Sequence, residues 1–383
     1  MSIIVSGLWR WHMFELAKSL AEHGQATTVF NADFRRPELM AEVSYQRAPI
    51  SLALAGKLAS KNRSIRTFAY DAICRKYDSW VGSRLEAMDE EAKIFHAWSS
   101  FHPISGSLAT RSGAKWIVER SGAHVSHQDK IVKEEMDRWG IHQDEVTLKV
   151  NVREREVMLE EYEKCDHILT CSTVARNTFV ERGIDPCKVS SITLGCNFAP
   201  KRIVRPQGKT FRLLSIGIPS LRKGFFYLLE AWKRLALPGA ELHIISGGMD
   251  FFDRYRCVPN VFFHSPVPRA ELSRFYESSS AFCLPSVEDG FGLVVPEAMS
   301  FGLPVLVSDA VGALEIVANG ENGFVFESRN IDQLCEKIVI LYEDEIRRRA
   351  MGVLASSRVS ECTWSKYGLA LASLYDRVQN ITH

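Results

Sequence analysis

The stretch Pro285–Gly302, PSVEDGFGLVVPEAMSFG, concentrates residue types that hold a charged, hydroxyl-rich ligand. Asp289 and Glu297 are carboxylates with seven residues between them, and each can accept hydrogen bonds from two neighbouring hydroxyls. Gly290 and Gly292 flank Phe291. Lacking a Cβ, they admit unusual backbone angles and let a ligand approach the main-chain N–H groups. The apolar run Ala281–Leu284 ahead of the loop reads as a strand, and Pro296 suits the first turn of a helix, where its missing N–H costs little. The loop therefore runs from a strand end to a helix start, where N–H groups and the positive helix end favour phosphate or sugar oxygens. The plainer alternative is that Glu288, Asp289 and Glu297 only complement the helix dipole. The paired glycines directly after a strand weigh against it.

A second cluster lies in Ser215–Gly224, SIGIPSLRKG. Arg222 and Lys223 precede a helix whose core face is Phe225, Leu228, Leu229 and Trp232. Cations at a helix start are electrostatically misplaced unless an anion joins them there. That awkward placement itself favours a phosphate ligand. The alternative is a solvated Arg–Lys pair.

The elements that must position these residues alternate along the chain. Strand runs at 3–5, 26–30, 94–97, 116–118, 167–170 and 189–192 are separated by helical stretches, which predicts a parallel sheet with right-handed crossovers. Residues 198–210, with two prolines, a glycine and several charges, read as a linker. The alternation restarts with strand runs at 211–216, 242–245, 261–263, 281–284 and 304–307. A chain of 383 residues accommodates two domains. The expected fold is α/β, two doubly wound Rossmann-like domains facing a central cleft: 1–200, 201–362, and a last helix over 363–383 packing back across the boundary. That helix places Trp364, Tyr367, Leu371, Leu374 and Val378 on one face.

Forty-seven Lys plus Arg against 46 Asp plus Glu leave a net charge of +1, which argues against a general nucleic-acid binder. The nine cysteines show no zinc-site spacing, and buried thiols in a reducing cytosol are the expectation. With no membrane-spanning run and no basic, apolar leader, the expected location is cytoplasmic. The acidic clusters 89–91 and 343–345 read as solvent faces, not as a metal site.

PSVEDGFGLVVPEAMSFGLPVLVSDAVGALEIV resembles the donor-binding signature of retaining glycosyltransferases of family 4, which have the two-domain GT-B fold. The resemblance implies that Asp289 holds hydroxyls of a donor sugar, with Glu288 sharing or taking that role because Asp replaces the usual Glu. It implies that Glu297 holds the nucleotide ribose and that the loop Gly290–Phe291–Gly292–Leu293 serves the sugar and diphosphate. Gly217 to Gly224 resembles the family's diphosphate loop. Lys223 falls on the expected Lys, and Arg222 supplies the charge missing at Ile218, where an Arg is common. Weaker matches at 165–172, 195–198, 244–248 and 261–264 extend the likeness over nearly the whole chain. The implied activity is transfer from a nucleotide-diphosphate sugar to a hydroxyl acceptor by front-face substitution, with no metal or other cofactor required.

In the first domain the family's double glycine is reduced to Gly7. The resemblance implies a mid-domain His, for which His124 is preferred over His127, while a purely structural histidine is the alternative. Glu119 and Arg120 either line the acceptor side or pair with each other, and His96 is a further acceptor-side candidate. Between 48 and 70 the chain carries Lys57, Lys61, Arg63 and Arg66 among apolar residues and no acid, so it suits peripheral contact with an anionic membrane or an acceptor-cleft helix with a basic edge. Two other classes remain open: a nucleotide-sugar epimerase on the same fold, and an inactive GT-B scaffold subunit.

Overall fold

The computed structural model describes residues 2–9, 12–33, 42–59, 63–88, 91–141, 152–199 and 210–380. Seven strands form a first parallel sheet: β1 Ser2–Gly7, β2 Ala26–Asn31, β3 Val43–Arg47, β4 Ile94–Trp98, β5 Lys115–Arg120, β6 His167–Thr170 and β7 Val189–Ser191. Six form a second: β8 Arg212–Ile216, β9 Glu241–Ile245, β10 Val261–His264, β11 Ala281–Leu284, β12 Val305–Ser308 and β13 Gly323–Phe326. The orders are β3-β2-β1-β4-β5-β6-β7 and β10-β9-β8-β11-β12-β13, all pairs parallel. Strand order reverses beside β1 in one sheet and beside β8 in the other, which opens a crevice at the carboxyl ends of β1/β4 and of β8/β11.

Helices of the first half are α1 Met13–Glu22, α2 Ile50–Ala59, α3 Arg63–Glu86, α4 Pro103–Arg111, α5 Val125–Trp139, α6 Val152–Lys164 and α7 Thr173–Val180. Those of the second are α8 Phe225–Leu235, α9 Arg269–Ser278, α10 Val294–Ser300, α11 Ile331–Glu343, α12 Glu345–Val359 and α13 Trp364–Gln379. Central strands are apolar on both faces because helices cover both, so β1, β4, β11 and β12 are buried throughout or nearly so.

Two strands escape the sequence reading. β3 (VSYQR) is a polar edge strand with a single buried residue, and β13 (GFVF) is four residues opened by a glycine. Helix α13 packs on α1 of the first half, as its apolar face predicts. At Gly368 a Cβ would lie 2.6 Å from Ser19 side-chain atoms, so the two helices meet without a spacer. Helix α5 goes the opposite way. It follows β5, yet Val132 and Ile141 just beyond its end are buried in the core of the second sheet beside Phe226 and Leu229. The basic segment falls partly outside the description: Lys61 is not described, nor are the side chains of Lys57, Arg63 and Arg66. Asp89 and Glu90 likewise lie outside the described residues.

Candidate active site

Two loops of the second half are stitched together. Leu221–Lys223 form a single 3-10 turn closed by Gly224 at φ +64°, a left-handed conformation. A Cβ on Gly224 would stand 1.9 Å from the Pro285 carbonyl oxygen, so glycine is needed for the close approach as well as for the turn. Val287 N–H donates to Arg222 O at 2.8 Å, and Asp289 N–H donates to Ala310 O at 3.0 Å after β12. These bonds bring Lys223 Nζ to 2.5 Å from Asp289 Oδ2, with both side chains only slightly exposed. The Lys223 stem runs along Gly217, whose Cβ would meet it at 3.5 Å. Ser286 Oγ also reaches Asp289, at 3.5 Å.

Glu288 faces a different way from Asp289, as neighbouring residues of an extended loop do. It is buried, ion-paired with Arg222, and accepts from Ala123 N–H at 3.1 Å and from Gln128 Nε2 at 3.2 and 3.1 Å. Burial alone would raise its pKa, but the Arg222 charge and these hydrogen bonds hold it down to about 2. Glu297, in the first turn of α10, accepts from Arg269 Nη2 at 2.5 Å, Tyr276 Oη at 3.1 Å and Asn197 Nδ2 at 3.3 Å. Burial raises its pKa despite Arg269. Phe291 is buried, Leu293 is half-buried at the start of α10, and Ile218 is half-exposed.

The first half meets this site through strand-end loops. A Cβ on Gly290 would lie 2.1 Å from Ser121 O and 2.6 Å from Gly122 Cα, after β5. Ser172, the N-cap of α7 after β6, donates from Oγ to Gly290 O at 2.6 Å. The carboxyl ends of the two sheets thus face each other, and the acid loop touches both halves.

The acceptor-side candidates are distributed differently. Glu119 and Arg120 do not pair, because successive strand residues point to opposite faces. Glu119 is buried between His12 Nε2 at 2.5 Å and His96 Nε2 at 2.8 Å. Burial would raise its pKa, and the two imidazoles, His12 foremost, hold it down to about 2. His96 is fully buried and bonds Tyr375 Oη at 2.7 Å, so it ties β4 to α13. Arg120 donates instead to Gln128 Oε1 at 2.6 Å. His124 caps α5: its Nδ1 accepts from Ser126 N–H at 3.1 Å, and its ring packs on Tyr162 and Phe179. Burial, reinforced by Arg182 and Arg120, lowers its pKa to about 4, so it stays neutral. His127 is half-buried, and burial lowers its pKa against the pull of Glu288. Gly7 is wedged against Met13 and Trp98, where a Cβ would meet Met13 Cε at 2.8 Å.

Sequence reasoning missed His12, Gln128, Asn197, Arg269 and Tyr276. None sits in a spacing pattern, and each gains its role from a partner more than 20 residues away. Among the described residues no group of three or more His, Cys, Asp or Glu is placed to hold a metal, and no helix is long and apolar enough to cross a membrane.

Two parallel sheets facing each other across their strand ends, with a cation loop and a paired-acid loop on one side, are the GT-B architecture of glycosyltransferases. The family model of the glycosyl transferases group 1 matches residues 200–357, so this part of the chain is a domain of that family. An uncharacterized glycosyltransferase of Haemophilus influenzae is 34% identical over 193 residues, 46% of this chain and 52% of the relative. The capsular polysaccharide biosynthesis glycosyltransferase CapM of Staphylococcus aureus is 34% identical over 166 residues, 40% of this chain and 43% of the relative. These matches span about half or less of the relatives' own length. Solved structures agree over the whole fold. Sucrose-phosphate synthase from Thermosynechococcus elongatus superimposes with a TM-score of 0.73 at 18% identity, covering 99% of each chain. HepE of Anabaena, solved in complex with UDP and glucose, gives 0.67 at 15% identity over 98% of this chain and 99% of its own.

Proposed function

We propose that the protein is a retaining glycosyltransferase that moves a sugar from a nucleotide-diphosphate donor to a hydroxyl acceptor, with residues 1–200 on the acceptor side, 201–362 on the donor side and the helix over 363–383 bridging back. The observation that carries this reading is the Lys223–Asp289 contact of 2.5 Å at the join of two strand-end loops. It sets a cation for a leaving diphosphate beside a carboxylate for sugar hydroxyls. An ammonium has three N–H donors, so Lys223 can keep Asp289 and still reach a phosphate oxygen. Glu297 holds the nucleotide ribose. The N–H groups of Gly290, Phe291 and Gly292, for which no acceptor is found among the described residues, serve the diphosphate and sugar.

The two other buried carboxylates of this region are both taken up, Glu119 by hydrogen bonds with His12 and His96 and Glu288 by Arg222, which favours front-face substitution over a double displacement. The acceptor oxygen then bonds to the anomeric carbon on the face from which the phosphate departs, and its proton passes to the departing phosphate oxygen. Lys223 and Arg222 stabilise the charge that develops there. Contact between the halves at Gly290 excludes water from the donor. The acceptor is a glycan, a lipid-linked saccharide or a small molecule, and the likeness to a capsular polysaccharide enzyme supports a saccharide.

The test is thermal-shift and calorimetric binding of UDP, GDP and ADP and their glucose conjugates, with Lys223→Ala and Glu297→Ala as controls. The expected result is stabilisation by one nucleotide that both substitutions abolish. No stabilisation by any of them overturns the reading in favour of the scaffold.

A further inference from the structure

Glu288 is a buried carboxylate taken up by Arg222, Ala123 N–H and Gln128. Gln128 reaches it from α5 with an amide used on both sides: Oε1 accepts from Arg120 Nη2 at 2.6 Å, and Nε2 donates to both Glu288 oxygens at 3.2 and 3.1 Å. A guanidinium offers only donors and an ionised carboxylate only acceptors, so the link between Arg120 and Glu288 needs a side chain that is both. Gln128 is itself buried, and α5 is held on the second half by Glu135, which accepts from Tyr227 Oη at 2.8 Å and Arg329 Nε at 2.7 Å. Glu288 is in turn the only hydrogen-bond partner found for the Arg222 guanidinium among the described residues.

We propose that Gln128 is a positioning residue for glycosyl transfer: it fixes Glu288, and through Glu288 the Arg222 guanidinium, against the diphosphate of the donor. The proposal rests on the nucleotide-sugar reading above. The chain of contacts Arg120–Gln128–Glu288–Arg222 joins the end of β5 to the diphosphate loop, so the orientation of a leaving-group cation depends on the acceptor-side half being in place.

The experiment measures nucleoside diphosphate release from whichever of UDP-, GDP- or ADP-glucose the wild type turns over, for Gln128→Glu, Gln128→Leu, Arg222→Ala and the Gln128→Leu/Arg222→Ala double variant. In Gln128→Glu the introduced carboxyl group, when protonated, donates and accepts as the amide does, whereas the ionised form repels Glu288. Burial and the neighbouring Glu288 carboxylate raise the pKa of the introduced carboxyl and outweigh the Arg120 guanidinium, which lowers it, so the ratio of Q128E to wild-type kcat is expected to rise by about tenfold or more between about pH 8.5 and about pH 5.5. The donor KM moves by less than about threefold, since the contact acts on the transition state and not on ground-state binding. Q128L lowers kcat by about 10- to 100-fold in the wild-type background and by no more than about twofold with Arg222→Ala, because residues that act through one another are not additive. A flat pH ratio, or equal losses in both backgrounds, overturns the proposal. If the leucine variant does not fold, the isosteric Q128E variant decides on its pH ratio alone. A wild type that turns over none of these donors and is stabilised by none of UDP, GDP and ADP overturns the nucleotide-sugar reading itself.

Discussion

Replacing Gly290 by alanine tests whether contact between the halves is part of the reaction. The new Cβ would sit 2.1 Å from Ser121 O, where ordinary contact begins at 3.4 Å, so one half has to back away by about 1.3 Å. The obstacle is backbone, which no rotamer change can relieve. That retreat stretches the Ser172–Gly290 bond of 2.6 Å and the Ala123–Glu288 bond of 3.1 Å beyond hydrogen-bonding distance, while Gln128 stays with Glu288 because α5 is held on the second half. A neutral hydrogen bond contributes about 1 kcal/mol and one to a charged group about 1.5–3 kcal/mol, so the closed arrangement loses about 2.5–4 kcal/mol. At about 1.4 kcal/mol per factor of ten, its population falls on the order of a hundredfold. The assay pairs kcat/KM for the donor with small-angle scattering. The expected outcome is a kcat/KM lower by about a hundredfold together with a larger radius of gyration, because transfer needs the closed state. Wild-type kcat/KM with superimposable scattering would refute the reasoning.

Three further outcomes are expected. Lys223→Ala lowers kcat by about a hundred- to a thousandfold, as removal of a transition-state charge partner does, and a steady-state assay showing less than a tenfold loss sinks that role. The depressed pKa of Glu288, about 2, stabilises the fold fully above its unfolded pKa of about 4.5, and that stability drains away as the pH falls from there toward 2. Glu288→Gln therefore flattens the acid limb of a plot of Tm against pH, and an acid limb unchanged from wild type contradicts the assignment. His124→Asn keeps a side chain suited to a helix N-cap, so it shifts Tm by only a few degrees and leaves transfer within about twofold. A loss of activity with unchanged Tm would instead make His124 a participant in the chemistry.

The chain by itself determined the alternation of strands and helices, the two-sheet α/β class and the acid and cation loops at 285–302 and 215–224. Those signals are local. Strands buried on both faces read as apolar runs, and loops that turn tightly or approach another backbone need glycine, as Gly224 does. The edge strand β3 was not legible because a strand with one buried residue carries no apolar pattern. What only the tertiary structure decided is how adjacent residues divide their roles. Asp289 turns to Lys223 while Glu288 turns inward to Arg222 and α5, and Glu119 meets two imidazoles while Arg120 meets Gln128. His12 and Glu119 are 107 positions apart, Gln128 and Glu288 160 apart, and His96 and Tyr375 279 apart. Pairings of that separation are set by which strand ends the sheets bring together and by helices crossing between the halves. A side chain's partner there is a property of the packed fold, not of its neighbours in the chain.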